Sequence, residues 1–270
     1  MYVTKASGER EPFNRDKIIK TCLRSGAIRR VAEQIANEVE GQTRDGDKTK
    51  DILSTVLALL EEKTPSAAHK YDLKGAIMRL GPSGFPFELF VSEVLREYDY
   101  SVELRKHIMG KCIDHEIDII ASEGKKKHMV ECKYHNYPGV YTGIKDALYV
   151  YARFLDINER GKFDSAWLVC NTKFSDDTIK YAKCKGMRLL GWGYPEGGGL
   201  EKMVENKKLY PITMIRSLKR PVVEKLVNNN LLLIKDLFTH TTTQLAALLG
   251  FNKKRVNELM AEADGVIHND

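Results

Sequence analysis

Apolar spacing and punctuation divide this chain into three regions, 1–82, 83–212 and 213–270. The first opens with a strand-like run, "MYVTKA", and a turn around Gly8. Then comes "NRDKIIKTCLRSGA", in which Ile18, Ile19, Cys22 and Leu23 recur at helical spacing behind an N-cap at Asn14. Three more helices are predicted over "RVAEQIANEVEGQ", "TKDILSTVLALLEEK" and "AAHKYDLKGAIMRL", and "GPSGFP" closes the region. The second region alternates. "FELFVSEVLREY" is amphipathic, and "YSVEL" and the two runs within "IDIIASEGKKKHMVECKYH" have strand character. "TGIKDALYVYARFLD" is a helix, "DSAWLVCNT" a buried strand, and "SDDTIKYAKCKG" a helix leading into "MRLLGW". That order predicts a mixed sheet flanked by helices. The third region has no strand signal; "RPVVEKLVNN", "LIKDLF", "TTQLAALLG" and "NKKRVNELMAEA" are short helices, with Pro221 suited to a first helical turn. The fold class expected is multidomain α/β: an α-rich first domain, an αβ core and a small all-α C-terminal domain.

Composition narrows the classes. The hydrophobic fraction of 43% is that of a globular chain, and no apolar run reaches the roughly eighteen residues of a membrane span. The charged start "MYVTKASGEREPF" is unlike a secretory signal. Five cysteines, Cys22, Cys112, Cys132, Cys170 and Cys184, are odd in number and form no CxxC pair, which argues against a disulfide framework or a zinc ribbon. A reduced, cytoplasmic protein with no membrane partner is expected. The Gly-rich "GYPEGGG" lacks the Lys and Ser/Thr of a phosphate-binding loop and reads as a surface loop. Lys plus Arg number 43 against 37 Asp plus Glu, a net charge of +6 that permits a polyanionic partner without requiring one.

The chemistry concentrates in "IDIIASEGKKKHMVECKYH", 117–135, where charge falls inside strand-like apolar runs. With the turn between Gly124 and Lys125 and the strands antiparallel, Asp118 lies opposite Glu131, and Lys133 shares the face of Glu131. Two carboxylates facing each other repel, and burying them uncompensated costs several kcal/mol. A divalent cation held by Asp118, Glu131 and a main-chain carbonyl would compensate, leaving Lys133 to stabilise phosphoryl charge or orient water. On the residues alone, a surface hairpin with a cross-strand Asp118–Lys133 ion pair stays open, and a one-residue slip would send Asp118 to the other face. The flanking Ile117, Ile119, Ile120, Met129 and Val130 favour interior strands.

An acid followed by ExK on adjacent strands, here Asp118 and Glu131-Cys132-Lys133, resembles the Mrr-type branch of the restriction-endonuclease-like nucleases. The resemblance extends over about 83–192. "GFPFELFVSEVLREYDYSVE" resembles the family's opening helix, with Glu88 at its acidic position, and "SAWLVCNTKFSDDTIKYAKCKGMRLLGW" resembles its closing strand-helix-strand. It implies a restriction-endonuclease-like core in which Asp118, Glu131 and the Cys132 carbonyl hold Mg²⁺ or Mn²⁺. Lys133 would then assist water attack on a DNA phosphodiester, and Glu88 support the metal shell. The chain departs from the family in "DHEID", where Asp114, His115 or Glu116 either modifies the site or decorates the start of the strand; His115, Tyr134 and His135 are more readily structural than ligating.

"VTKASGEREPFNRDKI", "KTKDI" and "YDLKGAIMRL" resemble the ATP-cone, the nucleotide-sensing module at the front of ribonucleotide reductases and of a bacterial repressor of their genes. Matching positions imply that Val3, Lys5, Glu11, Asn14, Lys17 and Thr49 approach an adenine nucleotide, lysines toward phosphate and polar groups toward base or ribose. "LLGFNKKRV", 248–256, resembles a helix-hairpin-helix DNA-binding motif, with Gly250 kept, Leu249 in place of Pro and Asn252 in place of the second Gly; Asn tolerates left-handed φ, so the turn can survive. The resemblance implies phosphate contacts from Gly250, Asn252, Lys253, Lys254 and Arg255. "LVNNNLLL" reads as a degenerate second hairpin. A helical packing or dimerisation domain is the alternative.

Together these readings give an Mg²⁺-dependent DNA endonuclease, in restriction or repair, with ATP or dATP as effector and not fuel. The alternative is a nucleotide-responsive DNA-binding regulator that keeps the nuclease fold as scaffold; a junction resolvase shares the chemistry and differs in substrate. Double-strand cleavage from one site per chain points to a homodimer or larger.

Overall fold

Strand β1 (Tyr2–Thr4) pairs antiparallel with β2 (Arg10–Pro12) around Gly8, whose φ of +85° suits a residue without Cβ. Helix α1 (Arg15–Arg24) starts at Asn14, whose side chain accepts the Lys17 N–H at 2.9 Å. Helix α2 (Arg29–Gln42) buries Ala32, Ile35, Ala36 and Val39 on one stripe, and α3 (Thr49–Lys63) buries Val56 and Leu60; these close a core with Ile18, Ile19 and Cys22. The single helix expected next is two, α4 (Pro65–Tyr71) and α5 (Leu73–Met78). The break falls at Asp72, a residue type that competes poorly inside helices.

Helix α6 (Phe85–Glu97) has Pro86 in its first turn and buries Phe87, Phe90, Val91, Val94 and Leu95. Strands β3 (Ser101–Met109), β4 (Asp114–Glu123) and β5 (Lys126–Lys133) form an antiparallel meander. A two-residue strand β6 (Tyr141–Thr142) precedes α7 (Ile144–Ile157), which crosses to β7 (Ser165–Cys170), parallel to β5. A short β8 (Lys173–Phe174) pairs with β6, and α8 (Asp176–Lys185) crosses to β9 (Arg188–Leu190), parallel to β7. The sheet order is β3-β4-β5-β7-β9, the mixed sheet that the alternation predicts. Ile120, Met129, Ala166 and Leu168 pack with Ala147 and Val150 of α7 and Ala182 of α8, while α6 packs across β3, β4 and β5. Helix α9 (Leu200–Asn206) follows the Gly-rich loop, whose residues 195–198 are exposed; at buried Gly199 a Cβ would meet the Tyr194 amide nitrogen at 2.6 Å.

The C-terminal region is helical as expected: α10 (Arg220–Val227), α11 (Ile234–Leu237), α12 (Thr242–Leu249) and α13 (Lys253–His268). The computed structural model describes residues 1–268, so the last two residues of the third region lie outside the described chain. Three sequence regions make two compact units, one of Met1–Ala76 with the chain from Tyr210 onward, the other of Ile77–Leu209. Within the first unit Thr213 Oγ1 donates to the Ala76 carbonyl at 2.6 Å, Arg216 pairs with Glu61, and α13 packs on α4. Among the described residues no helix is long and apolar enough to cross a membrane.

Phe90 is fully buried in α6, so Phe90→Ala is expected to cost the Ile77–Leu209 unit about 3–5 kcal/mol. Both tryptophans, Trp167 and Trp192, lie in that unit, so urea denaturation followed by tryptophan fluorescence reads its loss directly.

Candidate active site

The β4–β5 hairpin has the expected register, with Ile119 opposite Val130 and Ile120 opposite Met129; one step further sets Asp118 against Glu131. The ladder stops before that step. From there β4 continues with β3, and β5 with β7, so the two strands part as a fork at the charged residues. Asp118 Oδ2 accepts the Cys132 N–H at 2.8 Å, a side-chain bond in place of the missing ladder bond. On the other side of β4, Leu104 pairs with Ile119 and Lys106 with Ile117, but Arg105 between them has φ +49° and leaves the ladder opposite Asp118. A left-handed non-glycine in a strand is a strained feature, here beside a candidate site.

Glu88 of α6, Asp118 of β4 and Glu131 of β5 are electrostatically coupled around this fork. Burial, then repulsion from Asp118, raises Glu88 to about 7. The same two causes raise Glu131 to about 7 against the pull of Arg153. Burial raises Asp118 as well, opposed first by the Cys132 N–H. Desolvation thus outweighs the available positive charge. That charge comes from α7 and β3. Arg153 Nη1 donates to Glu131 Oε2 at 2.6 Å, and its Nη2 donates to the Glu116 main-chain carbonyl on β4. Arg105 pairs with Glu116 at 3.0 Å and draws down both Glu88 and Asp118. Lys133, with 47% of its side chain exposed, pairs with Asp146 of α7 at 3.0 Å, and Asp146 also accepts the Gly143 N–H at the start of that helix.

Asp118 and Glu131 thus meet at the fork, Glu88 joins them electrostatically, and Lys133 stands at the fork's end held by α7. His115 is engaged elsewhere and, buried, shares a 2.7 Å hydrogen bond with Asp156. Tyr134 accepts from the Gly81 N–H and donates to the Met78 carbonyl, anchoring the segment before α6. His135 bonds Thr142 and Asn171. All three are structural, and Glu116 enters through Arg105 and its carbonyl. Sequence reasoning missed Arg105, Asp146 and Arg153. For Arg153 a signal existed: it falls in the apolar phase of α7 with Val150 and Ile157, the kind of misplaced charge that singled out Asp118.

A cation fits the donor set in one respect. Each of Asp118 and Glu131 has one oxygen tied to the protein, Oδ2 by Cys132 and Oε2 by Arg153, so Oδ1 and Oε1 are the oxygens left to present. Among the described residues no three His, Cys, Asp or Glu side chains are gathered closely enough to hold a metal by themselves.

In the other unit, Lys5 pairs with Glu9 at 3.1 Å and Glu11 at 2.9 Å, and Lys17 approaches Glu11 at 3.8 Å. Asn14 caps α1, and a bridge between Thr4 and Lys48 brings the start of α3, with Thr49, beside β1. Lys5, Glu11, Asn14, Lys17 and Thr49 therefore cluster around the β1–β2 hairpin and two helix starts, whereas Val3 is buried. At the C-terminal hairpin Gly250 ends α12 with φ +70°. Asn252 does not take the left-handed role expected of it; its side chain accepts the Arg255 N–H at 2.8 Å and caps α13. Among the described residues the left-handed asparagine is Asn230, φ +60°, in the earlier "LVNNNLLL" turn. Lys253 and Lys254 are exposed, but Arg255 is engaged by Glu258 and the Ser217 carbonyl.

An uncharacterized protein of Archaeoglobus fulgidus is 40% identical to this chain over 177 residues, 66% of this chain and 99% of that protein. The chain belongs to the AF1548-like family. The crystal structure of AF1548, a protein of unknown function, matches this AF1548-like chain with a TM-score of 0.62 at 38% identity, covering 70% of this chain and all of that one. A second uncharacterized A. fulgidus protein is 47% identical over 40 residues, 15% of this chain and 85% of that protein. Residues 1–73 match the ATP cone domain, 81–191 the restriction endonuclease domain, and 210–267 the AF1548-like C-terminal domain. This AF1548-like chain therefore joins an ATP cone domain to a restriction-endonuclease-like core, and the fork lies within that core.

Glu88 and Glu131 hold their protons more tightly folded than unfolded, so the stability they lend is complete below their ordinary value of 4.5 and is lost as pH rises through about 7. The thermal midpoint of the EDTA-treated protein is expected to fall from about pH 5 to about pH 8 by more in the wild type than in Glu88→Gln, a difference of a few degrees. Differential scanning fluorimetry across that range checks it.

Proposed function

We propose that this chain is a divalent-cation-dependent DNA endonuclease whose rate is set by an adenine nucleotide at its ATP-cone domain. The observation that carries the reading is the fork: two carboxylates where β4 and β5 part, with a third that interacts with them electrostatically, all raised by burial, each of the first two with one oxygen held by a protein donor and one left to present. A scaffold alone gains nothing from such a cluster, because desolvated carboxylates destabilise a fold unless something binds them.

In this reading Asp118 and Glu131 would hold Mg²⁺ or Mn²⁺ with the Cys132 carbonyl, and Glu88 would support that metal shell. When bound, the cation supplies Lewis-acid polarisation of the phosphodiester and lowers the pKa of an attacking water. Lys133 lies two residues beyond Glu131 on the same strand face, half-exposed, and its ammonium stabilises the charge that develops on the phosphoryl oxygens. Asp146 pairs with that ammonium in the absence of substrate and would yield it to the phosphoryl oxygens. The core is restriction-endonuclease-like, which supports DNA as substrate, and exposed Lys253 and Lys254 at the start of α13 supply phosphate contacts that carry little base information. Lys5 and Lys17 face the nucleotide phosphates and exchange their Glu11 contacts for them. ATP acts as an effector, since the chain has no P-loop to hydrolyse it.

Nicking of supercoiled plasmid with Mg²⁺ or Mn²⁺ tests the reading. Asp118→Asn keeps an acceptor for the Cys132 N–H, and with Lys133→Ala it is expected to cut at least about 10²-fold more slowly than wild type. ATP is expected to change the wild-type rate while its concentration stays constant; equal cutting by all three proteins sinks the proposal. For the C-terminal contacts, Lys253→Ala with Lys254→Ala is expected to weaken DNA binding uniformly across sequences and to reduce the log–log salt slope by about 2, read by fluorescence anisotropy.

A further inference from the structure

Arg153 is nearly buried, with 10% of its side chain exposed, and it points into the fork from α7. Its two terminal nitrogens go to different strands, Nη1 to Glu131 Oε2 on β5 and Nη2 to the Glu116 carbonyl on β4. The phenol ring of exposed Tyr149, one turn earlier, lies 5.3 Å from the guanidinium carbon and covers it. At Glu116 β4 still runs beside β3, opposite His107, but it has parted from β5, so the Arg153 bond is a link from β4 to Glu131 across the fork. A planar guanidinium spans two acceptors with fixed geometry; an ammonium is a point charge on a flexible stem.

We propose that Arg153 is a positioning residue: it clamps the open end of the β4–β5 fork and holds Glu131 by Oε2, so that Oε1 faces Asp118 as a cation ligand. The inference rests on the metal-dependent reading of the fork and adds to it the residue that orients one of its two carboxylates. The rival role for the same ion pair is a stand-in counter-charge that a cation displaces. The two roles predict opposite signs. A clamp that is lost lowers cation affinity, whereas a displaced competitor that is lost raises it. Geometry favours the clamp, since the second bond goes to a main-chain carbonyl on the other strand, which a mere counter-charge for Glu131 would not need.

The test uses the full chain as wild type, Arg153→Lys and Arg153→Met. Mn²⁺ binding is measured by calorimetry without DNA, and nicking of supercoiled plasmid is followed against Mg²⁺ concentration. Thermal melting establishes that each protein is folded. Arg153→Lys keeps the charge and loses the two-strand span, so its Mn²⁺ affinity is expected to fall about tenfold, with Arg153→Met falling further, and the Mg²⁺ midpoint for nicking to move up in the same order. If Arg153→Met does not fold, the Arg153→Lys comparison decides alone. Wild-type affinity in Arg153→Lys, or tighter binding in either variant, overturns the clamp. Wild type that binds Mn²⁺ but nicks no DNA removes the nuclease reading and leaves the clamp to the calorimetry. Wild type that binds no Mn²⁺ removes both.

Discussion

The rest of the core depends on one local failure of hydrogen bonding: β4 and β5 stop pairing at Asp118 and Glu131. A continuous ladder would put two carboxylates face to face at a few ångströms with no room between them. By parting there, the strands open a gap, and every link across it is made by a side chain. Asp118 takes the Cys132 N–H, and Arg153 joins Glu131 to the Glu116 carbonyl. The same residues that close the fork structurally are those that the proposed chemistry uses, which couples local stability to the charge state of the site.

Helix α7 is the second organising element. It crosses between two parallel strands, so its packing is fixed by Ala147 and Val150 against the sheet. Asp146 and Arg153, seven residues apart, then fall on a common side two turns apart and reach Lys133 and Glu131 respectively. The crossover between the parallel strands β5 and β7 packs this helix on the sheet beside the strand that it follows, so the supporting charges come from the next element in sequence.

Much of this was legible in the chain itself. Period-2 runs broken by charge marked β4 and β5, and the turn at Gly124 set their register correctly. Amphipathic spacing located α1, α2, α3, α6 and α7. Two failures have specific causes. Asp72 breaks a helix whose apolar pattern runs on across it. Asparagine's tolerance of left-handed φ suggests that conformation for Asn252, whereas its side chain has a stronger local use as a cap. Punctuation also separates the C-terminal helices from the N-terminal ones; that the two share a compact unit lies beyond its reach, because Pro and Gly mark where a segment ends and say nothing about what it packs against.

The sequence by itself determined the residue types and local spacing: Asp118 and Glu131 in apolar strands, Lys133 in phase with Glu131, and a helix with an arginine among its apolar positions. Periodicity carries that information because each strand and helix repeats over a few residues. Only the tertiary structure decided that the ladder stops at Asp118, that Arg105 leaves it on the other side, and that Arg153 spans two strands. Those outcomes depend on contacts between residues 13 to 37 positions apart, where the balance of desolvation, repulsion and hydrogen bonding is settled by packing, which no local pattern encodes.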